Sequence, residues 1–237
     1  MVSRESTEID RNYYDKTYYA KHLERLARKD RFTRVRVKRV FSLLQPAQGE
    51  RIVDLGTGVG TMMVLLASSG ATIVGMDYSP ESLRIARKNF TREEPLRSFL
   101  GVCCDGRDIA VTSSSVDGVM AIDFTEHLDD TLLVPTVREV FRILKPGGRF
   151  VVYTPSKTHI FEVLKKRNII LKEDKSHVGL RTMNAYVKIL TESGFNVHES
   201  YFETTHIPVF NILERILIPI PWIGSLAKRR ICIRAVK

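Results

Sequence analysis

Three acidic residues stand at positions where a carboxylate can do chemistry. Asp54 immediately precedes a glycine-spaced stretch, Gly56-Thr57-Gly58-Val59-Gly60, Asp77 follows the apolar run Thr72-Ile73-Val74-Gly75-Met76, and Asp105 follows Val102-Cys103-Cys104. Carboxylates accept hydrogen bonds from sugar hydroxyls and exocyclic amines, and they attract ammonium groups. Glycines between a strand and a helix let a ligand approach the backbone closely, and the helix start offers free N–H groups. The dinucleotide fingerprint G-x-G-x-x-G does not fit, because here the third glycine comes one residue early, and no Gly-Lys-Ser or Gly-Lys-Thr follows to make a P-loop. A carboxylate beside a pyrophosphate is repelled, whereas one beside an amino-acid ammonium is attracted, so Asp54 favours a ligand that is cationic at that end. Asp77, 21 residues after Gly56, is placed to accept from both ribose hydroxyls, and Asp105 from an adenine amino group. The alternative reading, solvated turn residues and helix caps, fits Asp105 better than it fits the set.

These residues need rigid elements to hold them. Residues 51–55, 72–76, 99–104 and 116–122 are continuous apolar runs of strand type, as expected for strands buried on both faces. Helical patterns at 62–67, 80–90 and 131–144 alternate with them, and Lys145-Pro146-Gly147-Gly148 turns the chain into a fifth strand at 150–153. A helix at 184–193, closed by Gly194, precedes the last two strands at 195–202 and 231–236. Residues 13–44 read as a charged helix ended by Pro46. The pattern predicts one domain over 1–237, with an N-terminal helical arm at 1–48, a ligand-binding core at 50–155, and two long segments, 156–181 and 203–230, that serve as lids or substrate-side insertions.

A hydrophobic fraction of 43% in 237 residues supplies a sizeable core. Three cysteines without C-x-x-C spacing read as reduced thiols of a cytoplasmic protein, and the charged N-terminus does not resemble a signal peptide. The net charge of +10 suggests an anionic partner or surface, with a solvated helix face as the alternative.

The ordered motifs Val53-Asp54-Leu55-Gly56-Thr57-Gly58-Val59-Gly60, Gly75-Met76-Asp77-Tyr78-Ser79 and Cys104-Asp105-Gly106 resemble those of class I S-adenosylmethionine-dependent methyltransferases, in the small-molecule, type-11-like branch. Ile122-Asp123-Phe124-Thr125-Glu126-His127-Leu128 is similar to the family's fourth-strand motif, and Leu144-Lys145-Pro146-Gly147-Gly148 to its turn before strand five. The resemblance implies an α/β, Rossmann-like, seven-stranded, mostly parallel sheet with the last strand antiparallel and helices on both faces. It implies S-adenosyl-L-methionine as methyl donor and S-adenosyl-L-homocysteine as product. Carried over position by position, it puts Asp54, Gly56, Thr57, Gly58 and Gly60 on the methionine side, Asp77 and Tyr78 at the ribose, and Asp105 and Gly106 at the adenine. Asp123 and His127 then lie near the methionine moiety or the acceptor. Because the family's N-terminal arm often closes over the cofactor, Tyr14, Tyr18 and Tyr19 are candidate contacts, with aromatic packing on the sheet as the alternative. No metal is implied.

Methyl transfer from a sulfonium is an in-line displacement, so the protein chiefly aligns the reactants and excludes water. An acceptor hydroxyl or ammonium must lose a proton, and His127, His159, His177 and His206 compete as base. His127 and His177 are the catalytic candidates, His177 because related small-molecule methyltransferases often carry a histidine there that faces the acceptor. The Asn-Pro-Pro-Tyr or Asp-Pro-Pro-Tyr tetrapeptide of nitrogen-modifying members is absent, which disfavours base or amide methylation. The apolar stretch 207–223, next to Lys228-Arg229-Arg230, suggests a lipid-like, isoprenoid or quinone-type small-molecule acceptor, and peripheral membrane or lipid contact through 207–230. Packing on the sheet, or a homodimer interface in place of a monomer, is the competing reading. A second function class is a nucleic-acid methyltransferase or binding module using the basic arm from Arg25 to Arg39, although no recognition domain or zinc motif accompanies it. A non-catalytic protein that keeps the cofactor pocket is the third.

Overall fold

The computed structural model describes residues 30–167, 176–205, 208–221 and 223–237, with Tyr13, Tyr19, Ala20, Leu23, Glu24, Ala27 and Arg28. Strands β1 (Arg51–Leu55), β2 (Thr72–Asp77), β3 (Leu100–Cys103), β4 (Val116–Ile122), β5 (Leu144–Pro155), β6 (Asn196–Glu203) and β7 (Arg230–Val236) form one sheet in the order β3-β2-β1-β4-β5-β7-β6. Helices α1 (Arg31–Leu44), α2 (Thr61–Leu66), α3 (Pro80–Glu93), α4 (Asp130–Ile143), α5 (Ile160–Lys166), α6 (Met183–Glu192) and α7 (Pro208–Leu217) connect or follow them.

Side chains alternate across each strand, so every central strand feeds two cores. Val53 and Leu55 of β1, Val119 and Ala121 of β4, and Phe150 and Val152 of β5 face one side, where Leu133, Val137 and Val140 of α4 and Tyr186 and Leu190 of α6 cover them. Ile52, Met120, Ile122, Val151 and Tyr153 face the other, against Val40, Leu43 and Leu44 of α1 and Met62, Met63 and Leu66 of α2. β1 pairs in parallel with β2 and β4, while β7 runs antiparallel to both β5 and β6 and is therefore the reversed strand of the sheet. The expected topology is present.

Two local expectations change. The helix read over 13–44 is interrupted at Asp30, whose carboxylate accepts the Thr33 N–H at 2.7 Å and restarts the chain as α1. An aspartate held as an N-cap takes non-helical backbone angles, here ψ 169°, which a hydrophobic pattern does not reveal. Residues 145–148 do not form a turn ahead of β5. They stay within it as a bulge, Val116 pairing with Leu144 and Gly118 with Arg149, and Gly147 takes φ +77° to allow it. The segment 156–181 also contains a short helix, α5, whose N-cap is His159.

Candidate active site

The carboxyl ends of β1, β2 and β4 open into a cleft. This is where ligands bind in open α/β sheets. Its floor is the glycine turn. Gly56 and Thr57 donate their N–H groups to the Met76 carbonyl at 2.8 and 3.0 Å, docking the turn on β2. Gly56, Gly58 and Gly60 all have positive φ. A side chain at Gly56 would collide with the Phe124 ring, and one at Gly58 would meet Tyr19. Gly60 does not line the cleft; it starts α2 and lies against Ala86 of α3.

Asp54 is buried on β1 and accepts the Thr57 hydroxyl at 2.7 Å. Burial pushes its carboxyl up to about 7, nearby Asp77 adds to the rise, and the Thr57 hydroxyl and Arg36 oppose it. Asp77 accepts the Gly58 N–H at 3.0 Å and the Ser79 N–H at 2.9 Å, so it also fastens the glycine turn to the end of β2. Burial raises its pKa against those two bonds. Tyr19, Thr57, Gly58, Tyr78, Asp105 and Gly106 line the cleft with them. Tyr19 shares a 2.9 Å hydrogen bond with Ser82, which fixes its ring over Gly58. Asp105 is engaged by Arg107 through Nε at 2.9 Å and Nη2 at 2.5 Å. Tyr14, Tyr18 and His206 lie outside the described residues.

Asp123 leaves β4 in a left-handed conformation, φ +52°, while its N–H donates to the Tyr153 carbonyl at 2.8 Å. That geometry turns its carboxylate between two arginines, Arg36 of α1 at 2.6 Å and Arg230 of β7. Burial opposes charge on Arg230, yet Asp123, Tyr153 and Glu126 hold it protonated, with its pKa above the ordinary arginine value. Sequence reasoning read both arginines only as basic surface. A signal for Arg36 existed: it shares the helical spacing of the buried residues Thr33, Val40, Leu43 and Leu44. Arg230 carried no such mark.

His127 lines the cleft, and its Nδ1 lies 2.9 Å from the Ser176 carbonyl. A carbonyl only accepts, so Nδ1 donates to it, and Nε2 is the ring nitrogen left to exchange a proton. His177 is not on the cleft wall; it packs edge-on behind His127 with ring centroids 5.3 Å apart. Its Nδ1 is 3.5 Å from Glu162, whose carboxyl burial would raise but which His177 and Lys165 hold down at about 2. The loop carrying His177 is clamped by Gly179 N–H donating to the Glu126 carbonyl (2.8 Å) and by Arg181 donating to the Leu128 carbonyl (2.8 Å) and Asp130 (2.8 Å). Glu126 is buried and accepts the Thr154 hydroxyl at 2.9 Å. Glu126, His127 and His177 place ligand-type atoms within 4.8 Å of one another, a grouping that the linear spacing did not suggest. His159 stays away from the cleft: it is buried at the start of α5, 3.3 Å from Glu214, and burial lowers its pKa to about 4.

Residues 53–152 match the family described as Methyltransferase domain. The chain is 32% identical over 171 residues to 24-methylenesterol C-methyltransferase 2 of Oryza sativa subsp. japonica, covering 70% of this chain and 46% of that protein. It is 35% identical over 109 residues to demethylmenaquinone methyltransferase of Clavibacter sepedonicus, covering 45% of this chain and 42% of that protein. The chain thus spans less than half the length of these relatives. A SAM-dependent methyltransferase structure from Archaeoglobus fulgidus superimposes with TM-score 0.69 at 19% identity, covering 92% of this chain and 100% of that one. The fold is the class I, Rossmann-like methyltransferase fold. Residues 53–152 thus match a methyltransferase domain, on a fold shared with class I methyltransferases.

Proposed function

We propose that this chain binds S-adenosyl-L-methionine in the cleft and catalyses methyl transfer to an apolar small molecule of isoprenoid, sterol or quinone type, releasing S-adenosyl-L-homocysteine. The observation that carries this reading is the convergence of Asp54, Asp77 and Asp105 on one cleft around a glycine turn of positive φ, in which a Cβ at Gly56 would collide with Phe124. When bound, the cofactor supplies an electrophilic methyl group on a sulfonium. Asp54 suits the ammonium end, Asp77 the ribose hydroxyls, and Asp105 with Gly106 the adenine edge, in the order of their strands.

The chain's remaining task is to orient the acceptor, exclude water and take a proton. His127 is the base, its Nδ1 committed to the Ser176 carbonyl and its Nε2 the nitrogen that takes the proton, a role worth roughly 10²–10⁴-fold. His177 and the Ser176 carbonyl hold its ring and tautomer. Asp123, neutralised by two arginines, shapes the wall beside it. The names of the sterol and menaquinone relatives support an apolar acceptor.

The nucleic-acid alternative loses support because several basic groups of the arm are already paired within the chain, Arg28 with Glu24, Arg36 with Asp123 and Arg39 with Glu203. Free thiols at Cys103, Cys104 and Cys232 support a reducing, cytoplasmic setting. The test is turnover of S-adenosylmethionine to S-adenosylhomocysteine with a panel of prenylated phenols, quinols and sterols. His127→Ala should cut kcat about 100-fold with cofactor affinity unchanged. Tighter binding of a nicotinamide dinucleotide or a nucleoside triphosphate than of S-adenosylmethionine would overturn the reading.

A further inference from the structure

Helix α7 carries its faces the wrong way round for a helix covering a core. Two of its polar residues, Asn211 and Glu214, turn toward the protein. Glu214 is buried, accepting the Thr205 N–H at 2.5 Å and lying 3.3 Å from His159 Nε2. Asn211 donates to the Thr205 carbonyl at 2.8 Å and to the Thr204 hydroxyl at 2.6 Å. The apolar residues turn outward: Val209 is 76% exposed, Ile212 61%, Ile216 60%, Phe210 50% and Leu213 49%. Positions 209, 212, 213 and 216 follow at three- and four-residue intervals, so they form one stripe. Ile220 and Ile223, also exposed, lie just beyond the helix end. A contiguous apolar stripe of this kind is a contact surface.

We propose that α7 docks this chain flat on an anionic lipid bilayer, with Val209, Ile212, Leu213 and Ile216 entering the boundary between headgroups and acyl chains. Charge selects the partner. Residues 208–230 contain a single acid, Glu214, and it is the one drawn inward, whereas Arg215 is exposed beside the stripe and Lys228 follows in a chain of net charge +10. A surface with apolar residues, basic residues and no exposed carboxylate fits anionic headgroups over acyl chains. A second copy of the chain would bring the same positive charge against itself, which like-charge repulsion opposes. Ten residues span about 15 Å, half of a hydrocarbon core, and no described helix is long and apolar enough to cross a membrane, so the helix lies in the interface plane.

The docking helix is also joined to the cleft. Thr205, whose N–H Glu214 holds, receives a 2.6 Å hydrogen bond from Arg229, and the next residue, Arg230, is the partner of Asp123 on the cleft wall. Docking does not depend on the methyl-transfer reading, and either can fail alone.

Sedimentation of the full chain with phosphatidylcholine vesicles, and with vesicles containing phosphatidylglycerol, tests it. The chain should bind the anionic vesicles at least about tenfold more tightly. Ile212→Ser combined with Ile216→Ser should weaken that binding about 100-fold or more. Leu96→Ser, at a fully exposed apolar residue outside this segment, should leave it unchanged. Unchanged S-adenosylmethionine affinity or thermal unfolding in the double variant shows that it folds. Absence of vesicle binding, vesicle binding indifferent to the double substitution, or a dimer in ultracentrifugation that the double substitution dissociates without affecting vesicle binding would each overturn the proposal.

Discussion

Arg36 Nη1 lies 2.6 Å from Asp123 Oδ2, tying the first turns of α1 to the exit of β4 across the cleft wall. With Arg230 on the other carboxylate oxygen, Asp123 is the shared anion of two guanidiniums from opposite ends of the chain. The Phe32 ring lies under both, 5.4 Å from the Arg36 guanidinium carbon and 5.7 Å from that of Arg230.

Removing the anion should therefore cost more than removing one cation. Asp123→Ala leaves two partly buried guanidiniums facing each other and should destabilise the fold by about 3–5 kcal/mol. Arg36→Ala leaves Asp123 with Arg230 and should cost about 1–3 kcal/mol. Urea unfolding of the two variants checks the order.

The glycine turn separates conformational strain from steric conflict. Gly56 and Gly147 have nearly the same backbone angle, φ +73° and +77°, but a Cβ at Gly56 meets the Phe124 ring while one at Gly147 meets nothing within 4 Å. Gly147→Ala should cost about 1–2 kcal/mol from its left-handed backbone and leave cofactor affinity intact. Gly56→Ala should add overpacking of roughly 1–3 kcal/mol and abolish cofactor binding. Thermal unfolding and calorimetry on both variants distinguish the two effects.

Asp77 has two tasks, the ribose and the glycine turn. Asp77→Ala should weaken S-adenosylmethionine binding about 30-fold or more, since bonds to a charged group are worth about 1.5–3 kcal/mol each. Asp108, exposed to solvent and outside the cleft lining, serves as the control, and Asp108→Ala should change affinity less than about twofold. Equal affinities of the two variants by calorimetry would contradict the assignment.

Asp54 makes cofactor binding depend on pH. Burial holds its carboxyl at about 7 rather than 3.8, so below about 7 it is protonated in the unliganded protein. A bound ammonium favours the ionised form, and binding then releases a proton. Affinity should therefore fall as pH drops below about 7, by up to about tenfold per pH unit, and level off above it. Folding has the opposite sign, since a raised carboxyl pKa lets the unliganded chain gain stability as pH falls from above 7 toward 3.8. Asp54→Asn should flatten the affinity profile, which titration calorimetry across that range would measure.

The parallel sheet, the glycine turn and the acids after β1, β2 and β3 were readable in the sequence because they are local: apolar runs, backbone freedom and charge at a strand end are each encoded within a few residues. The one reversed strand and S-adenosylmethionine as ligand came from the family resemblance of those same motifs. Tertiary structure alone decided the rest. Asp123 meets Arg230, 107 positions later, only because β7 inserts between β5 and β6, and His177 reaches His127 only because Arg181 and Gly179 clamp its loop to the residues after β4. Likewise, the sequence showed 207–223 as an apolar stretch, but which face of α7 would look outward depended on Glu214 finding Thr205 and His159 inside. A linear pattern specifies the two faces of an element, while the partners available in three dimensions determine which of them is buried.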